Sequence, residues 1–364
     1  MSVIERLTLY RLRVPLSTPY KLAFGPVRAF DTILAEAVDS DGRTGVGEAT
    51  LLTGYTGETI EGSWTLARKL ASRMVGRSAP DAKRGAETAV GDAPFTATAL
   101  ATAVDMLEGH PSLSVERTTA VPLLGLVNGT TAHELEAEIE TLLAEGYGTL
   151  KIKVGFDPDQ DARKVALIQR INRGRARLRI DANQGYSVDE ARRFLRSLDP
   201  AAVELFEQPC AAGDWAAAKA VAETSPVPMM LDESIYGLED IERAARLRCA
   251  RFIKLKLMKM GSLDRLKAGI ERIRALGMEP VLGNGVACEI GCWMEACIAR
   301  EGIGNAGEMN GFLKPVTRLL ERPLRLERGA IVLVPGERPT LARDALTRYT
   351  VAQEEFSAKA ATML

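Results

Sequence analysis

The sequence predicts an α/β protein in which parallel strands close into a barrel beside an α+β unit. Two patterns lead there. From about Ala120, short β-branched runs alternate with longer amphipathic stretches, and the units recur at nearly constant spacing. Before about residue 118, strand runs joined by a tight turn are followed by helical apolar spacing. A chain of 364 residues also exceeds what one compact core usually holds, so more than one domain is expected.

In the first unit, Ile4 to Leu12, Thr32 to Val38 and Thr44 to Ala49 have strand character. Asp39-Ser40-Asp41-Gly42 makes the turn between the last two. Thr59 to Arg73 and Pro94 to Leu107 carry helical spacing, with breaks at Arg77–Pro80 and Gly109–Ser112. The barrel strands are expected at Val121–Leu126, Leu150–Val154, Leu178–Ile180, Val203–Phe206, Met229–Leu231, Phe252–Leu257, Pro280–Leu282 and Ile303–Ala306. Helices are expected at Asp159–Asn172, Ser187–Leu198, Trp215–Glu223, Leu238–Leu247, Leu263–Leu276 and Cys288–Ala299. Strand–helix alternation implies parallel strands, and eight of them at even spacing imply closure. The expected units are 1–118, 119–320 for the barrel, and 321–364 as a segment returning to the first unit.

Composition narrows the function. Lysine and arginine number 47 against 48 acidic residues, for a net charge of −1, which gives no general attraction to nucleic acid or an anionic membrane. No apolar run approaches the roughly 20 residues of a membrane span. Met1–Arg6 lacks the pattern of a secretory signal, so the cytoplasm is expected. Five cysteines without a Cys-x-x-Cys argue against a disulfide framework. Cys288 and Cys292 stand one helical turn apart but have no histidine nearby. The two histidines are His110 and His133, so a histidine base in the second half of the chain is excluded.

The informative residues are polar ones that interrupt or end the apolar strands. They are Lys151 and Lys153, Asp181, Glu207, Asp232, and Lys254 and Lys256. From Lys153 the intervals are 28, 26, 25 and 24 residues, each one strand, one helix and two loops. Each residue therefore falls at the carboxyl end of a consecutive strand, on one rim. Three carboxylates stand side by side with lysines on both flanks. Unpaired, the carboxylates would repel one another and take up protons. A hard dication resolves this, and Mg²⁺ suits a few carboxylates with sites left for water and substrate, so one Mg²⁺ per subunit is expected, with Mn²⁺ as a possible substitute. Alternation along a strand puts Lys151 and Lys153 on one face, and likewise Lys254 and Lys256. A like charge or a dication lowers a lysine's pKa, so Lys153 and Lys256 are expected to act as bases. Singly, each buried charge reads as a salt bridge, but five at one-unit spacing on one rim are hard to obtain from packing.

These motifs resemble the enolase superfamily, and within it the muconate-lactonising subgroup of the mandelate racemase/muconate lactonising enzyme family. The resemblance rests on Lys151-x-Lys153, Asp181-x-Asn183, Glu207-Gln208-Pro209, Asp232-Glu233-Ser234 and Lys256-Leu257-Met258-Lys259-x-Gly261, spread from about Thr149 to Glu308. It implies an α+β capping domain on a (β/α)7β modified TIM barrel, assembled as dimers or octamers. It implies Asp181, Glu207 and Asp232 as metal ligands, Lys153 and Lys256 as the acid–base pair, and Lys151, Lys254, Asn183 and Glu308 in support. The chain departs from the family pattern at Lys254, where a small or amide residue is usual, at Ser262, where Gly is usual, and at Ala287, where Glu is usual. The like charge of Lys254 is expected to lower the pKa of Lys256.

Substrate contacts are expected from Tyr20, Phe24 and Tyr55 in the first unit, and from Asn284 and Glu308 on the barrel. Gly283-Asn284-Gly285 reads as a rim loop whose small residues leave room for ligand. Where dipeptide epimerases carry Asp-x-Asp, this chain has Glu308-Met309-Asn310, so one acid remains for an ammonium or imino group. The expected substrate is an amino-acid-type carboxylate, undergoing racemisation, epimerisation or a β-elimination of the hydroxyproline-dehydration type. Muconate cycloisomerisation is the alternative. A non-catalytic barrel that binds a small acid is the other class, and the paired lysines are what it would not need. The partner is thus a small molecule, with no nucleic acid and no membrane. Gly302-Ile303-Gly304-Asn305-Ala306-Gly307 spells a dinucleotide fingerprint but follows a helix and opens none, so it is set aside.

Overall fold

The computed structural model describes residues 2–22, 25–52 and 54–358. Three long strands, β1 (Ile4–Leu22), β2 (Gly25–Asp39) and β3 (Thr44–Leu51), form an antiparallel sheet. The turn between β2 and β3 is held by Asp39, whose Oδ1 accepts the N–H groups of Asp41 at 3.0 Å and Arg43 at 2.9 Å. The sheet is buried on both faces. Leu7, Leu9, Ile33, Ala35 and Ala37 pack on helices, whereas Leu12, Val14, Phe30 and Leu34 join the barrel core.

The helices are α1 (Ile60–Met74), α2 (Ala79–Glu87) and α3 (Pro94–Glu108). The expected break at Arg77–Pro80 holds at Arg77 and Ser78, and α2 begins at Ala79. Ser78 caps it by accepting the Asp81 N–H, and Pro80 sits in the first turn, where a missing N–H costs nothing. Every residue of α3 from Pro94 to Leu107 is buried. It lies so close to β3 that a Cβ on Gly47 would overlap the Ala99 carbonyl and the Ala103 nitrogen.

The barrel is a seven-stranded parallel sheet among the described residues. Before it, β4 (Thr119–Pro122) leaves the barrel to pair elsewhere. The expected run Val121–Leu126 is therefore two elements. The barrel strands are β5 (Gly125–Val127), β6 (Thr149–Lys153), β7 (Arg177–Asp181), β8 (Val203–Glu207), β9 (Met229–Leu231), β10 (Phe252–Leu255) and β11 (Glu279–Leu282). Between them run α4 (Ala132–Ala144), α5 (Pro158–Asn172), α6 (Val188–Arg196), α7 (Trp215–Ala222), α8 (Leu238–Leu247), the single turn α9 (Leu257–Met260) and α10 (Leu263–Ala275), and α11 (Glu289–Gly302) follows β11.

The expected eighth strand, Ile303–Ala306, does not form as such. Closure falls to the next residues: Gly307 donates to the Pro122 carbonyl at 2.9 Å and accepts from Leu124 at 2.9 Å, and Glu308 donates to Leu282 at 3.0 Å. Side chains take the place of a full ladder. Arg179, fully buried, donates to the Ala306 carbonyl at 2.8 Å and to Glu204 at 2.6 Å, while Asn305 donates to the Pro280 carbonyl at 3.0 Å.

Beyond the barrel, β12 (Arg325–Glu327) and β13 (Ala330–Leu333) make a small sheet with β4. After α12 (Arg343–Tyr349), β14 (Thr350–Ser357) pairs antiparallel with β1, Phe356 opposite Leu7. The tight β3–α3 approach gives a testable consequence. Gly47→Ala should lower the unfolding free energy by about 2–3 kcal/mol, as overpacking does. A urea midpoint equal to that of the parent protein would show that α3 can move aside.

Candidate active site

Strand register brings the rim residues level. Lys153 stands opposite Asp181, and Asp181 opposite Glu207. Asp232 and Lys256 are the residues that immediately follow β9 and β10. The side chains form two layers. In the inner layer, Lys151 Nζ lies 2.8 Å from Asp181 Oδ2, 2.9 Å from Glu207 Oε2 and 2.8 Å from Glu308 Oε2. Lys254 Nζ lies 3.0 Å from Glu207 and 3.5 Å from Asp232, and also pairs with Glu308. In the outer layer, Lys153 Nζ lies 2.6 Å from Asp181 and Lys256 Nζ 2.8 Å from Asp232, at the two ends of the carboxylate arc. The Lys153 side chain is 31% exposed and that of Lys256 5%, so the two amines differ in their access to solvent.

The loops after the strands hold these groups. Asn183, in the left-handed region at φ 42°, donates its N–H to Asp181 at 2.9 Å, accepts from Lys153, and donates Nδ2 to Glu233 at 2.9 Å. Gln208, at φ 36°, accepts the N–H groups of Asp232 at 3.1 Å and Ser234 at 3.2 Å. Backbone strain of this kind persists where surrounding bonds over-determine it. Lys259 donates to the Asp232 carbonyl at 2.8 Å and to its Oδ1 at 3.1 Å. Glu233, Tyr236 and Lys259 had no role in the sequence-based expectation. Glu233 and Lys259 lie inside the quoted motifs, and a polar residue so close to a candidate ligand was the available signal.

Electrostatics follow from the interleaving. Burial alone would raise Asp181, but Lys151, Lys153 and Lys254 outweigh it and bring its carboxyl to about 2. Burial likewise opposes ionisation of Asp232, and Lys256, Lys259 and Lys254 overcome it to hold that carboxyl well below the usual range. Burial and the Asp181 charge push Glu207 up, and burial and Asp232 push Glu233 up to about 7. For Lys256, the protein groups alone do not produce a depression. Burial lowers Lys256, but Asp232 and Glu233 more than offset it, so its pKa is raised; Lys254 is raised as well, chiefly by Glu207 and Glu308. Lys254 is the ion-pair partner of Glu207 and Glu308. Glu308, in turn, already holds two lysines.

Three buried carboxylates from consecutive strands are a hard-oxygen donor set of the kind Mg²⁺ takes. Glu207, fully buried, turns one oxygen to each inner lysine, Oε2 to Lys151 and Oε1 to Lys254. A second group of possible ligands, Asp105, His110 and Asp264, is bridged instead by Lys83, 2.5 Å from Asp105 and also paired with Asp264.

Tyr55 reaches the barrel rim, its ring centroid 4.6 Å from Lys256 Nζ. Asn284 is buried and bonds the Val286 N–H at 2.8 Å. Tyr20 lies in β1 with its backbone opposite Val27, but its side chain and Phe24 fall outside the described residues. Gly283 does not leave room for ligand: at φ 134°, a Cβ there would meet the Glu308 and Met309 backbone at 2.6 Å, so the glycine serves barrel closure. Cys288 and Cys292 are buried thiols. Behind the rim, Glu48 of β3 accepts the Gly291 N–H at 2.9 Å at the start of α11, and Glu289 accepts Leu319 at 2.6 Å. Glu289 thus braces the chain after the barrel.

The enolase C-terminal domain-like family matches residues 134–339. The chain is 29% identical to the L-Ala-D/L-Glu epimerase of Bacillus subtilis, with 89% of each chain covered. It is 28% identical to muconate cycloisomerase 1 of Rhodococcus opacus over 93% of this chain and 96% of that one. Its fold superposes on the dipeptide epimerase of Cytophaga hutchinsonii, crystallised with Mg and the dipeptide D-Ala-L-Val, with a TM-score of 0.87, 19% identity, and coverage of 98% and 100%. The chain belongs to the enolase C-terminal domain-like family, in its mandelate racemase/muconate lactonising branch, and is an enzyme of that superfamily. No helix among the described residues is long and apolar enough to cross a membrane.

The Glu48 contact is testable by pH. Burial pushes its carboxyl up to about 8 from an ordinary 4.5. Across that window the folded chain keeps a proton that the unfolded chain releases, so stability falls as pH rises and levels off above it. Glu48→Gln should reduce that fall by a few kcal/mol. Identical pH–stability curves for variant and parent would show that Glu48 ionises freely in the fold.

Proposed function

We propose that this chain removes the proton α to the carboxylate of a small amino-acid-type substrate. Asp181, Glu207 and Asp232 hold one Mg²⁺, for which Mn²⁺ can substitute, and Lys153 and Lys256 move the proton. The observation that supports this best is the placement of two outer amines at opposite ends of one carboxylate arc, each 2.6–2.8 Å from its terminal member. When bound, the dication supplies positive charge for the substrate carboxylate and for the negative charge that grows there as the proton leaves.

The chain's own residues do the rest. Lys151 and Lys254, buried below the arc and tied to Glu308, set the spacing of Glu207 between its neighbours. Asn183 and Gln208 fix the backbone that presents Asp181 and Asp232. Lys256 is protonated while Asp232 and Glu233 face it uncompensated. Once that carboxylate charge is balanced, burial is the remaining influence, and it favours the neutral amine a base requires. Lys153 and Lys256 then approach opposite faces of a carbon held over the arc. A racemase or epimerase uses both lysines as bases. A β-eliminating enzyme uses one as base and the other as acid or electrostatic support.

Similarity to the Bacillus subtilis epimerase supports an amino-acid-type substrate, and similarity to the Rhodococcus opacus cycloisomerase supports muconate lactonisation as the second reading. A screen of amino acids, dipeptides and muconolactone, with α-proton exchange in D₂O as readout, separates them. Exchange with muconolactone and none with amino-acid-type acids overturns the first reading.

For the metal, titration calorimetry should show one Mg²⁺ bound per chain. Mg²⁺ at 100 times its Kd should add about 2.7 kcal/mol of stability, and Asp232→Asn should abolish most of that gain. No heat of binding at millimolar Mg²⁺ would refute the ligand assignment. For the lysines, Lys153→Ala and Lys256→Ala should each lower turnover by about 10²–10⁴-fold. In a racemase the two variants should still exchange opposite enantiomers. Near-normal turnover in both variants would sink the two-lysine mechanism.

A further inference from the structure

The two candidate bases differ in exposure, and Lys256 carries a cover that comes from outside the barrel. Tyr55 lies in the turn between β3 and α1, its N–H bonded to the Leu52 carbonyl at 3.2 Å. Its hydroxyl is 3.4 Å from Lys256 Nζ, and its ring stands over the same amine. What ties this turn to the rim is Tyr236, four residues after Asp232, whose hydroxyl donates to the Tyr55 carbonyl. Tyr236 is itself anchored. Its N–H donates to Asp240 at 2.8 Å, and Lys259 Nζ sits 4.5 Å over its ring and 5.8 Å from the ring of Tyr55. Lys259 is the same side chain that binds the Asp232 carbonyl. A continuous set of contacts therefore runs from Asp232 through Lys259 and Tyr236 to Tyr55 and back to Lys256. The Lys153 side chain keeps nearly a third of its surface exposed.

We propose that Tyr236 is a positioning residue for one face of the reaction: its hydroxyl latches the Tyr55 turn to the barrel so that the Tyr55 ring shields and aims the Lys256 amine. A cation over an aromatic face is held more firmly when water is excluded, so the latch both dries Lys256 and restricts its direction. The consequence for Lys256 as a base rests on the acid–base reading given above. The latch itself does not.

The first measurement needs no turnover. In the Mg²⁺-loaded protein, lysines are labelled with trace acetic anhydride and quantified by peptide mass spectrometry in the parent, Tyr236→Phe and Tyr55→Ala. Tyr236→Phe keeps the ring under Lys259 and removes only the donor. Lys256 should label at least five-fold faster in Tyr236→Phe, approaching its rate in Tyr55→Ala, while Lys254 beneath the arc stays unchanged. An unchanged Lys256 rate in Tyr236→Phe overturns the proposal. So does a parallel rise at Lys254, which would report general opening of the barrel.

The second measurement is α-deuterium exchange. The enantiomer that still exchanges in Lys153→Ala reports the Lys256 face. Tyr236→Phe should slow that exchange about ten-fold and leave the opposite face within two-fold, and equal slowing of both faces counts against a one-sided role. If labelling shifts as expected but the parent exchanges no α-proton on any acid, the latch stands and the acid–base reading falls.

Discussion

Carboxylates and lysines interleave on one barrel rim, and neither set is tolerable there without the other. Asp181, Glu207, Asp232 and Glu308 are all buried, as are Lys151, Lys254 and Lys256. Buried charges of one sign would neutralise by gaining or losing protons. Interleaving is what lets Asp181 and Asp232 remain ionised in a dry site. Removing one member strands its partners, so the rim behaves as a unit, and its members are not independent contributors.

The loops and neighbouring elements can be understood as support for that unit. Strand register sets the heights of Lys153, Asp181 and Glu207. Asn183 and Gln208 adopt left-handed backbone so that their side chains can cross-link adjacent strand ends. Gly283 lets the Glu308 backbone approach β11, which carries the fourth carboxylate into contact with Lys151 and Lys254. Barrel closure and charge balance are thus one construction: the irregular closing segment is the element that delivers Glu308.

The N-terminal sheet contributes from the other side. It is packed on both faces, one against α1 to α3 and the other against the barrel core, so its loops are carried on a firm base. Glu48 and Tyr55 enter the rim region from β3 and the turn after it. One meets the start of α11 and the other covers Lys256. The chain after the barrel returns through β14 to β1, which adds a fourth strand to the same sheet.

What the sequence by itself determined is periodic. The barrel strands, most of its helices and the five rim positions follow from alternation and interval, because a strand–helix unit has a nearly constant length and a strand end is a fixed place in it. The exceptions are instructive. The helix at Ala79–Glu87 begins at a Ser-Ala-Pro that also reads as a break, since proline is as acceptable in a first helical turn as in a loop. The strand expected at Ile303–Ala306 is replaced by bonds from Arg179 and Asn305, which lie far from their partners in sequence. Only the tertiary structure decided how the charges pair. Lys254 looks from its spacing like a neighbour that would perturb Lys256, yet it is engaged by Glu207 and by Glu308, more than 50 residues further on. Tyr55 and Tyr236 are brought together across 181 residues of chain. Coulombic and hydrogen-bond partners act through distance in space, and a periodic reading of the chain reports only which face and which height a residue occupies.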